Sequence, residues 1–168
     1  MPMPPLRPLA LVPVLAVALV AGGGRGAPAG TLRAGAAAVD VSPRGLGPDR
    51  PAIVAGGFLE ARADTVHDPL FVKAIVLDDG GGPAGAEAVR LALVVVDSCM
   101  MPRPLLDEAK RLAAERTGIP RECMLISATH THSAPAAMGC LGTRVDAPYA
   151  AMLPEKIAEA IVAANDRL

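Results

Sequence analysis

Residues 123–135 read Cys-Met-Leu-Ile-Ser-Ala-Thr-His-Thr-His-Ser-Ala-Pro, an apolar run that stops at two histidines. The run is typical of a buried strand, and His130 and His132 follow where that strand ends. Side chains two positions apart on an extended backbone point to the same side. Two such imidazoles can serve a hydrolytic zinc ion or act as a general acid and base. The other interpretation is a hydrogen-bonded pair of histidines at a strand end.

Four apolar segments predict the strands of one sheet. They cover residues 31–41, 70–77, 89–96 and 123–128. The second and third are expected to pair as an antiparallel hairpin with a long loop. Residues 91–96 are almost wholly apolar, which favours a central strand covered on both faces.

A helix is predicted between the last two of these strands. Pro102 and Pro104 favour its first turn, and Gly118 is positioned to close it. Strand, helix and strand then form a β-α-β unit, whose strands are parallel and whose crossover is right-handed. The predicted fold class is therefore α/β, with a mixed sheet that contains a β-hairpin and a right-handed β-α-β unit.

The remaining segments are predicted from turn and helix patterns. Gly56 and Gly57 indicate a close backbone approach or a tight turn. Residues 58–65 are polar and mixed, and they predict a loop. Residues 148–168 carry a helical apolar stripe, and Pro154 either kinks this last helix or lies in its first turn.

Two further residues are candidates for the site. Asp97 ends a strand parallel to the one that precedes His130, so the two are expected to be neighbours at the edge where α/β sheets bind ligands. Asp97 could orient His130 through its second ring nitrogen, or it could cap the helix that follows. His67 precedes a strand, where a turn residue is the more common interpretation and a role in the site is the alternative.

The composition excludes several classes of function. The chain has 168 residues, enough for about one domain, and a formal net charge of −1. That charge predicts no nucleic-acid partner and no attraction to an anionic membrane. Aromatic residues make up only 2% of the chain, which argues against base-stacking platforms. The composition leaves the oligomeric state open.

Residues 1–29 are predicted to be a secretory signal peptide. Arg7 precedes an apolar run over residues 9–21, and a small-residue cleavage site ends at Ala29. The run is shorter than the roughly 20 residues of a stable membrane span. The protein is therefore expected to be exported, to the periplasm or beyond; a disordered Pro/Ala-rich tail is the alternative.

Export permits disulfides, and three cysteines follow the predicted cleavage site. Because the count is odd, at least one is expected to be free or paired outside the chain. Cys99 and Cys140 both follow predicted strand ends, so a bond between them is conceivable, although no other pattern supports it. Cys123 lies at the opposite end of its strand. Cys99, beside two methionines, is interpreted as a packed residue rather than a reactive one.

The stretch around the histidines resembles a family signature. Residues 128–135, Ala-Thr-His-Thr-His-Ser-Ala-Pro, are similar to the Thr-His-Thr-His-Ser-Gly-Pro signature of the neutral/alkaline, non-lysosomal ceramidases. Residues 35–42, 55–58, 67–74 and 93–97 resemble other segments of that family in the same order. The resemblance covers nearly all of the chain after the predicted signal peptide.

The resemblance implies a secreted zinc amidohydrolase that cleaves the N-acyl amide bond of ceramide-like lipids. It also implies that the sheet belongs to a larger layered α/β sandwich. On the family pattern, His130 is a ligand of one zinc ion, and His132 is a catalytic residue near the substrate. Zinc would polarise the amide carbonyl and activate water.

The chain also departs from the family pattern. Ala134 replaces a glycine, and Ala136 and Ala137 replace the glycines after the proline, which implies a different acyl-binding loop. The family takes its other zinc ligands, a His, a Glu and a Tyr, from further along its chain. The remaining ligands are thus expected outside this chain. Residues 30–168 are interpreted as the N-terminal portion of a ceramidase-like catalytic domain, with little or no activity alone.

Two other functions remain open on the sequence. The first is a different metal-dependent amide or ester hydrolase on the same scaffold. The second is a non-catalytic secreted fragment that keeps the fold without the chemistry.

Overall fold

The computed structural model describes residues 30–81 and 87–168. The predicted signal peptide at residues 1–29 lies outside these ranges, as does part of the glycine-rich turn after residue 81. None of the helices within the described ranges is long and apolar enough to cross a membrane.

One four-stranded mixed sheet forms the centre of the structure. Its strands are β1 (Arg33–Asp40), β4 (Phe71–Asp78), β5 (Arg90–Val96) and β6 (Met124–Ala128), in that spatial order. Strand β4 pairs antiparallel with both β1 and β5, whereas β5 and β6 are parallel. The predicted hairpin, the β-α-β unit and the α/β fold class are confirmed.

Two helices pack on the same face of this sheet. Helix α1 (Arg103–Thr117) connects β5 to β6, and Gly118 ends it with a φ of +71°. Helix α2 (Ala147–Asn165) packs on α1, β1 and β4. The alternate residues of β4 and β5 that face these helices are almost fully buried, and so is the apolar stripe of α2. The core thus forms one layer between the sheet and the helix pair.

The opposite face of the sheet is open, which contradicts the prediction that residues 91–96 are covered on both sides. Leu91, Leu93 and Val95 are 40–44% exposed. Leu93 lies between Ile75 of β4 and Leu125 of β6, both of which are also exposed. The sequence pattern of β5 is apolar on both faces, but α1 and α2 lie on one side only. Within the described ranges, nothing covers the other side.

The sequence predicts a loop over residues 58–65, but the structure has a short strand within this segment. Strand β3 (Ala61–Ala63) pairs antiparallel with β2 (Ala52–Val54) in a separate two-stranded sheet. The Ala-Arg-Ala segment is too short to carry a period-of-two signal, so its pairing depends on the position of β2.

Pro154 lies well inside α2, so the alternative that put it in the first turn is wrong. That turn contains Pro148, and the Asp146 carboxylate caps it by accepting a hydrogen bond from the Tyr149 N–H at 3.2 Å. The predicted apolar stripe of the helix is confirmed, since Ile157, Ile161 and Ala164 are fully buried.

Candidate functional site

The two histidines follow β6 on a backbone that runs on beside the end of β5. The Thr129 N–H donates to the Val96 carbonyl at 3.0 Å, and the Thr131 N–H donates to the Ser98 carbonyl at 3.1 Å. Between these bonds His130 has a φ of +63°. A left-handed backbone is uncommon for a residue with a side chain, and it often occurs at functional sites. The carboxyl edge of β5 and β6 therefore fixes the position of His130.

His130 and His132 lie close together, as the spacing predicts. Their ring centroids are 4.7 Å apart with an interplanar angle of 68°. Nδ1 of His130 lies 3.0 Å from the carbonyl oxygen of Cys99. A carbonyl only accepts, so Nδ1 carries the proton that it donates, and in a neutral imidazole Nε2 is then the nitrogen with the lone pair. This is the arrangement that orients a metal-binding imidazole.

Cys99 is the third member of the group, and the sequence interpretation did not include it among the potential ligands. Its Sγ lies 4.0 Å from Nδ1 of His130. Taking one ring nitrogen from each histidine, the three potential ligand atoms all lie within 4.8 Å of one another. The residue was predicted to be packed, and it is indeed buried. Its place after β5, on the edge where His130 follows β6, was the available signal.

The cysteines are all free thiols. The conceivable bond between Cys99 and Cys140 is not formed, although the two are near enough to influence each other. Burial raises the pKa of the Cys99 thiol, and Cys140 adds to that rise. Without a metal ion, Cys99 is therefore expected to keep its proton at neutral pH.

Gly56 supports His132 from the opposite side. Its φ is +109°, and a Cβ there would lie 2.5 Å from Cγ and 2.7 Å from Cβ of His132. The close backbone approach predicted for this glycine pair is thus confirmed. Residues 134–136 continue along β2: the Ala55 N–H donates to the Ala134 carbonyl at 3.2 Å, and the Ala136 N–H donates to the Ile53 carbonyl at 2.7 Å.

Asp97 has neither of the roles predicted for it. Its Oδ2 accepts hydrogen bonds from the Phe71 N–H at 3.0 Å and from Nζ of Lys73 at 3.2 Å. Helix α1 begins after Pro102 without a side-chain cap, and His130 is oriented by a backbone carbonyl instead. Asp97 therefore ties the start of β4 to the end of β5. The chain leaves β5 so that Cys99, rather than Asp97, contacts the imidazole.

A cleft of about 440 Å³ lies beside the histidine segment. Asp97, Thr131 and Ser133 line one part of it, and His67 lines another. His130 and His132 are not among its lining residues. His67 is almost fully exposed and pairs with Asp68 through a 3.1 Å contact. The structure thus brings His130, His132 and Cys99 together and leaves His67 outside the group.

No family model matches the sequence, and no curated protein matches it. Solved structures do match. The neutral ceramidase from Pseudomonas aeruginosa superposes with a TM-score of 0.63 at 21% identity, over 81% of this chain and 22% of that chain. The described domain has the fold of part of a neutral ceramidase. A structure titled a ceramidase complexed with C2 matches with a TM-score of 0.50 at 24% identity, over 81% of this chain and 20% of that chain.

The predicted resemblance to the ceramidases is therefore confirmed at the level of the fold. This chain spans about a fifth of the length of each of the two solved ceramidases. A shared fold by itself does not transfer an activity, which depends on the groups in the site.

Proposed function

We propose that this chain is part of a zinc-dependent amidohydrolase that cleaves the N-acyl amide bond of ceramide-like lipids. One observation carries the proposal. The paired imidazoles of His130 and His132 stand at the carboxyl edge of β5 and β6, on a fold shared with a neutral ceramidase. That edge is where α/β sheets bind ligands.

The donor groups of the cluster fit zinc. Zinc accepts imidazole nitrogen and thiolate sulfur, and a catalytic site combines about three protein ligands with water. His130 is the proposed metal ligand, since the Cys99 carbonyl holds its Nδ1 proton and leaves Nε2 available. When bound, a zinc ion would polarise the amide carbonyl and make water acidic enough to attack it. On the ceramidase pattern, further ligands would come from outside this chain.

His132 is the proposed catalytic residue beside the reacting amide. Its ring is exposed and lies against that of His130, so it is accessible to a substrate. A neutral imidazole there can take a proton from the attacking water and return it to the leaving amine. Gly56 limits the movement of His132, because the Gly56 backbone approaches the base of the His132 side chain closely.

Ala134 and Ala136 bear on the choice of substrate. Both are fully buried, and their backbones pair with β2. Their methyl groups therefore fill space inside the fold instead of projecting toward a ligand. The replacement of glycine by alanine at these two positions is therefore compatible with a ceramide-like substrate.

Export is part of the same proposal. A signal peptide at residues 1–29 would be removed after Ala29 and would leave Gly30 as the mature N-terminus. N-terminal sequencing of the protein recovered outside the cytoplasm tests this step, and a retained Met1 in that fraction would contradict it.

Release of fatty acid from a ceramide tests the activity. It should be measured on the 168-residue chain and on any longer polypeptide encoded in frame with it, each with and without His130→Ala. The 168-residue chain is expected to be nearly inactive. A longer form should hydrolyse ceramide only when His130 is present and zinc is not chelated.

The same samples should be offered a simple ester and a short N-acyl amide. Cleavage of these without ceramide hydrolysis would favour a different metal-dependent hydrolase on this scaffold. Bound zinc with no hydrolysis of any substrate, in every form of the protein, would refute the catalytic proposal and leave a non-catalytic fragment.

A further inference from the structure

Three large apolar side chains project into solvent from two neighbouring loops. Phe58 is 81% exposed, Leu59 is 83% exposed, and Leu141 is 58% exposed. The loops are in contact, because a Cβ added at Gly142 would lie 3.0 Å from the carbonyl oxygen of Phe58. We call Phe58, Leu59 and Leu141 the apolar tip. Exposed apolar patches often mark surfaces that bind a protein or a membrane.

A strained turn holds Leu141 in its exposed position. The Cys140 N–H donates to the Thr143 carbonyl at 3.1 Å, and the Thr143 N–H donates to the Cys140 carbonyl at 2.8 Å. The two residues between them have positive φ, +48° at Leu141 and +81° at Gly142. Asn, Asp or Gly is preferred at the first of two such positions, and a leucine there is strained. Since Leu141 gains little burial within the described domain, an apolar contact outside this domain is the gain available to it.

An ion-pair network joins the two loops and makes their edge basic. Arg144 donates to the Glu60 carboxylate at 2.8 and 2.9 Å, and Arg62 donates to it at 2.9 Å. The Glu60 side chain is 20% exposed, whereas the two arginines are more than half exposed. Residues 56–62 and 139–145 together contain two arginines and one glutamate, a net charge of +1. Guanidinium groups are well suited to bind phosphate.

The apolar tip lies next to the proposed catalytic residue. The backbone of Gly56, two residues before Phe58, closely approaches the base of the His132 side chain. The amide of a ceramide-like lipid lies between its polar headgroup and its acyl chains. An enzyme that cleaves this amide in a membrane must therefore bring its reacting groups to the bilayer surface. Apolar side chains beside exposed cationic ones are typical of proteins that bind at that surface.

We propose that the apolar tip inserts into the surface of a phospholipid bilayer, while Arg62 and Arg144 contact lipid phosphates. His132 would then face lipids in the bilayer without any segment of the domain crossing it. This inference rests on the proposed function for its lipid substrate. The positive charge of the two loops and their position beside His132 favour a lipid surface over a protein partner. The attraction is local, since the whole chain has a formal net charge of −1.

Tryptophan fluorescence tests the docking surface without any assay of activity. The chain contains no tryptophan, so the emission of Phe58→Trp reports on that position alone. With vesicles of phosphatidylcholine and phosphatidylglycerol, this emission should move to shorter wavelength and should be quenched by brominated acyl chains. Leu125→Trp is the matched control, because Leu125 is 63% exposed but lies on the open sheet face. It should show neither change. Circular dichroism checks that each variant is folded.

A second comparison tests the other two members of the apolar tip. In the Phe58→Trp background, Leu59→Ser combined with Leu141→Ser should raise the lipid concentration for half-maximal quenching by more than about tenfold. Removing even one leucine from an apolar environment corresponds to at least about this factor. Leu93→Ser in the same background, on the open sheet face, should leave the lipid concentration unchanged.

The outcomes separate this inference from the proposed function. Absence of quenching in folded Phe58→Trp, or equal quenching in Leu125→Trp, would overturn the docking surface. A longer polypeptide encoded in frame could instead carry Phe58→Trp with emission already at short wavelength and no quenching by vesicles. In that case protein covers the apolar tip, and lipid docking is again overturned. Quenching as expected, with no ceramide hydrolysis by any form of the protein, would support the docking surface and refute the activity. Hydrolysis without quenching would do the reverse.

Discussion

Replacing Gly56 with alanine adds one methyl group where the structure has no space for it. The new Cβ would lie 2.5, 2.7 and 2.8 Å from Cγ, Cβ and Cα of His132. Two of these atoms belong to the rigid base of the side chain and to the backbone, so rotation of the ring cannot relieve the contact. The φ of +109° also lies in a region that alanine rarely adopts.

The expected cost has two parts. Backbone strain at such a φ contributes about 1–3 kcal/mol, and overpacking against His132 adds about 1–3 kcal/mol. Gly118→Ala is the matched control, because its φ is +71° but the nearest atom to a new Cβ is Nη2 of Arg90 at 3.9 Å. The free energy of unfolding of Gly118→Ala should fall only by the cost of the left-handed backbone, about 1–2 kcal/mol. The excess at Gly56 should therefore be roughly 1–3 kcal/mol, the cost of the overpacking that Gly118→Ala does not share.

Urea unfolding followed by circular dichroism measures both variants. Each kcal/mol corresponds to about 3–5 °C in Tm for a domain of this size, so a thermal scan should place Gly56→Ala at least about 3 °C below Gly118→Ala. Because the clash pushes on His132, Gly56→Ala should also shift the imidazole resonances of His132 in an NMR spectrum, whereas Gly118→Ala should leave them unchanged.

Equal stability of the two variants, together with unchanged His132 resonances in Gly56→Ala, would show that the backbone does not press on His132 as described. A fall in stability without any change in the His132 resonances would contradict the specific claim that Gly56 supports the position of His132.

Three further predictions concern the core, an ion pair and the open face. Leu153→Ala, at a fully buried position of α2, should cost about 2–5 kcal/mol in urea unfolding, whereas Leu59→Ala, at a residue 83% exposed, should cost under about 0.5 kcal/mol. The paired hydrogen bonds from Arg144 hold the pKa of Glu60 at about 2 instead of near 4.5. Because the folded pKa lies below the unfolded one, this contribution is complete above about pH 4.5 and is lost as the pH falls toward 2. Glu60→Gln should flatten that part of a plot of urea midpoint against pH, and an unchanged slope would argue against the pair. Leu93→Lys should leave this chain folded and more soluble in a sedimentation assay, but should destabilise any longer polypeptide in which a sandwich covers the open face. Leu93→Lys that unfolds the 168-residue chain would contradict the open face.

Much of the fold was predictable because its signals are local. The strands, α1 and its Gly118 end depend on residues within one segment, and the parallel pairing of β5 and β6 follows from the helix between them. The position of His130 and His132 at a strand end was predictable for the same reason. The open face of the sheet was not predictable. The apolar pattern of β5 shows that both faces of the strand are apolar, but it does not show which elements pack against each face.

The site itself depends on contacts between distant segments. His130 meets Cys99 across 31 positions of sequence, through the course that the chain takes after β5. The sequence predicted that the carboxylate of Asp97 could orient the His130 imidazole. In the structure, Asp97 instead accepts hydrogen bonds from the Phe71 N–H and from Lys73, both on β4. Competition of this kind between donors is decided only when all the strands are in place.

By itself, the sequence determined the strand and helix order, the α/β class and the pair of imidazoles at the end of β6. Each of these follows from the spacing of apolar residues, glycines and prolines along one stretch of chain. Only the tertiary structure decided that Cys99 joins the histidines, that Gly56 lies directly behind His132, and that one sheet face stays open. These features depend on distances of a few ångströms between segments far apart in sequence, which no local pattern records.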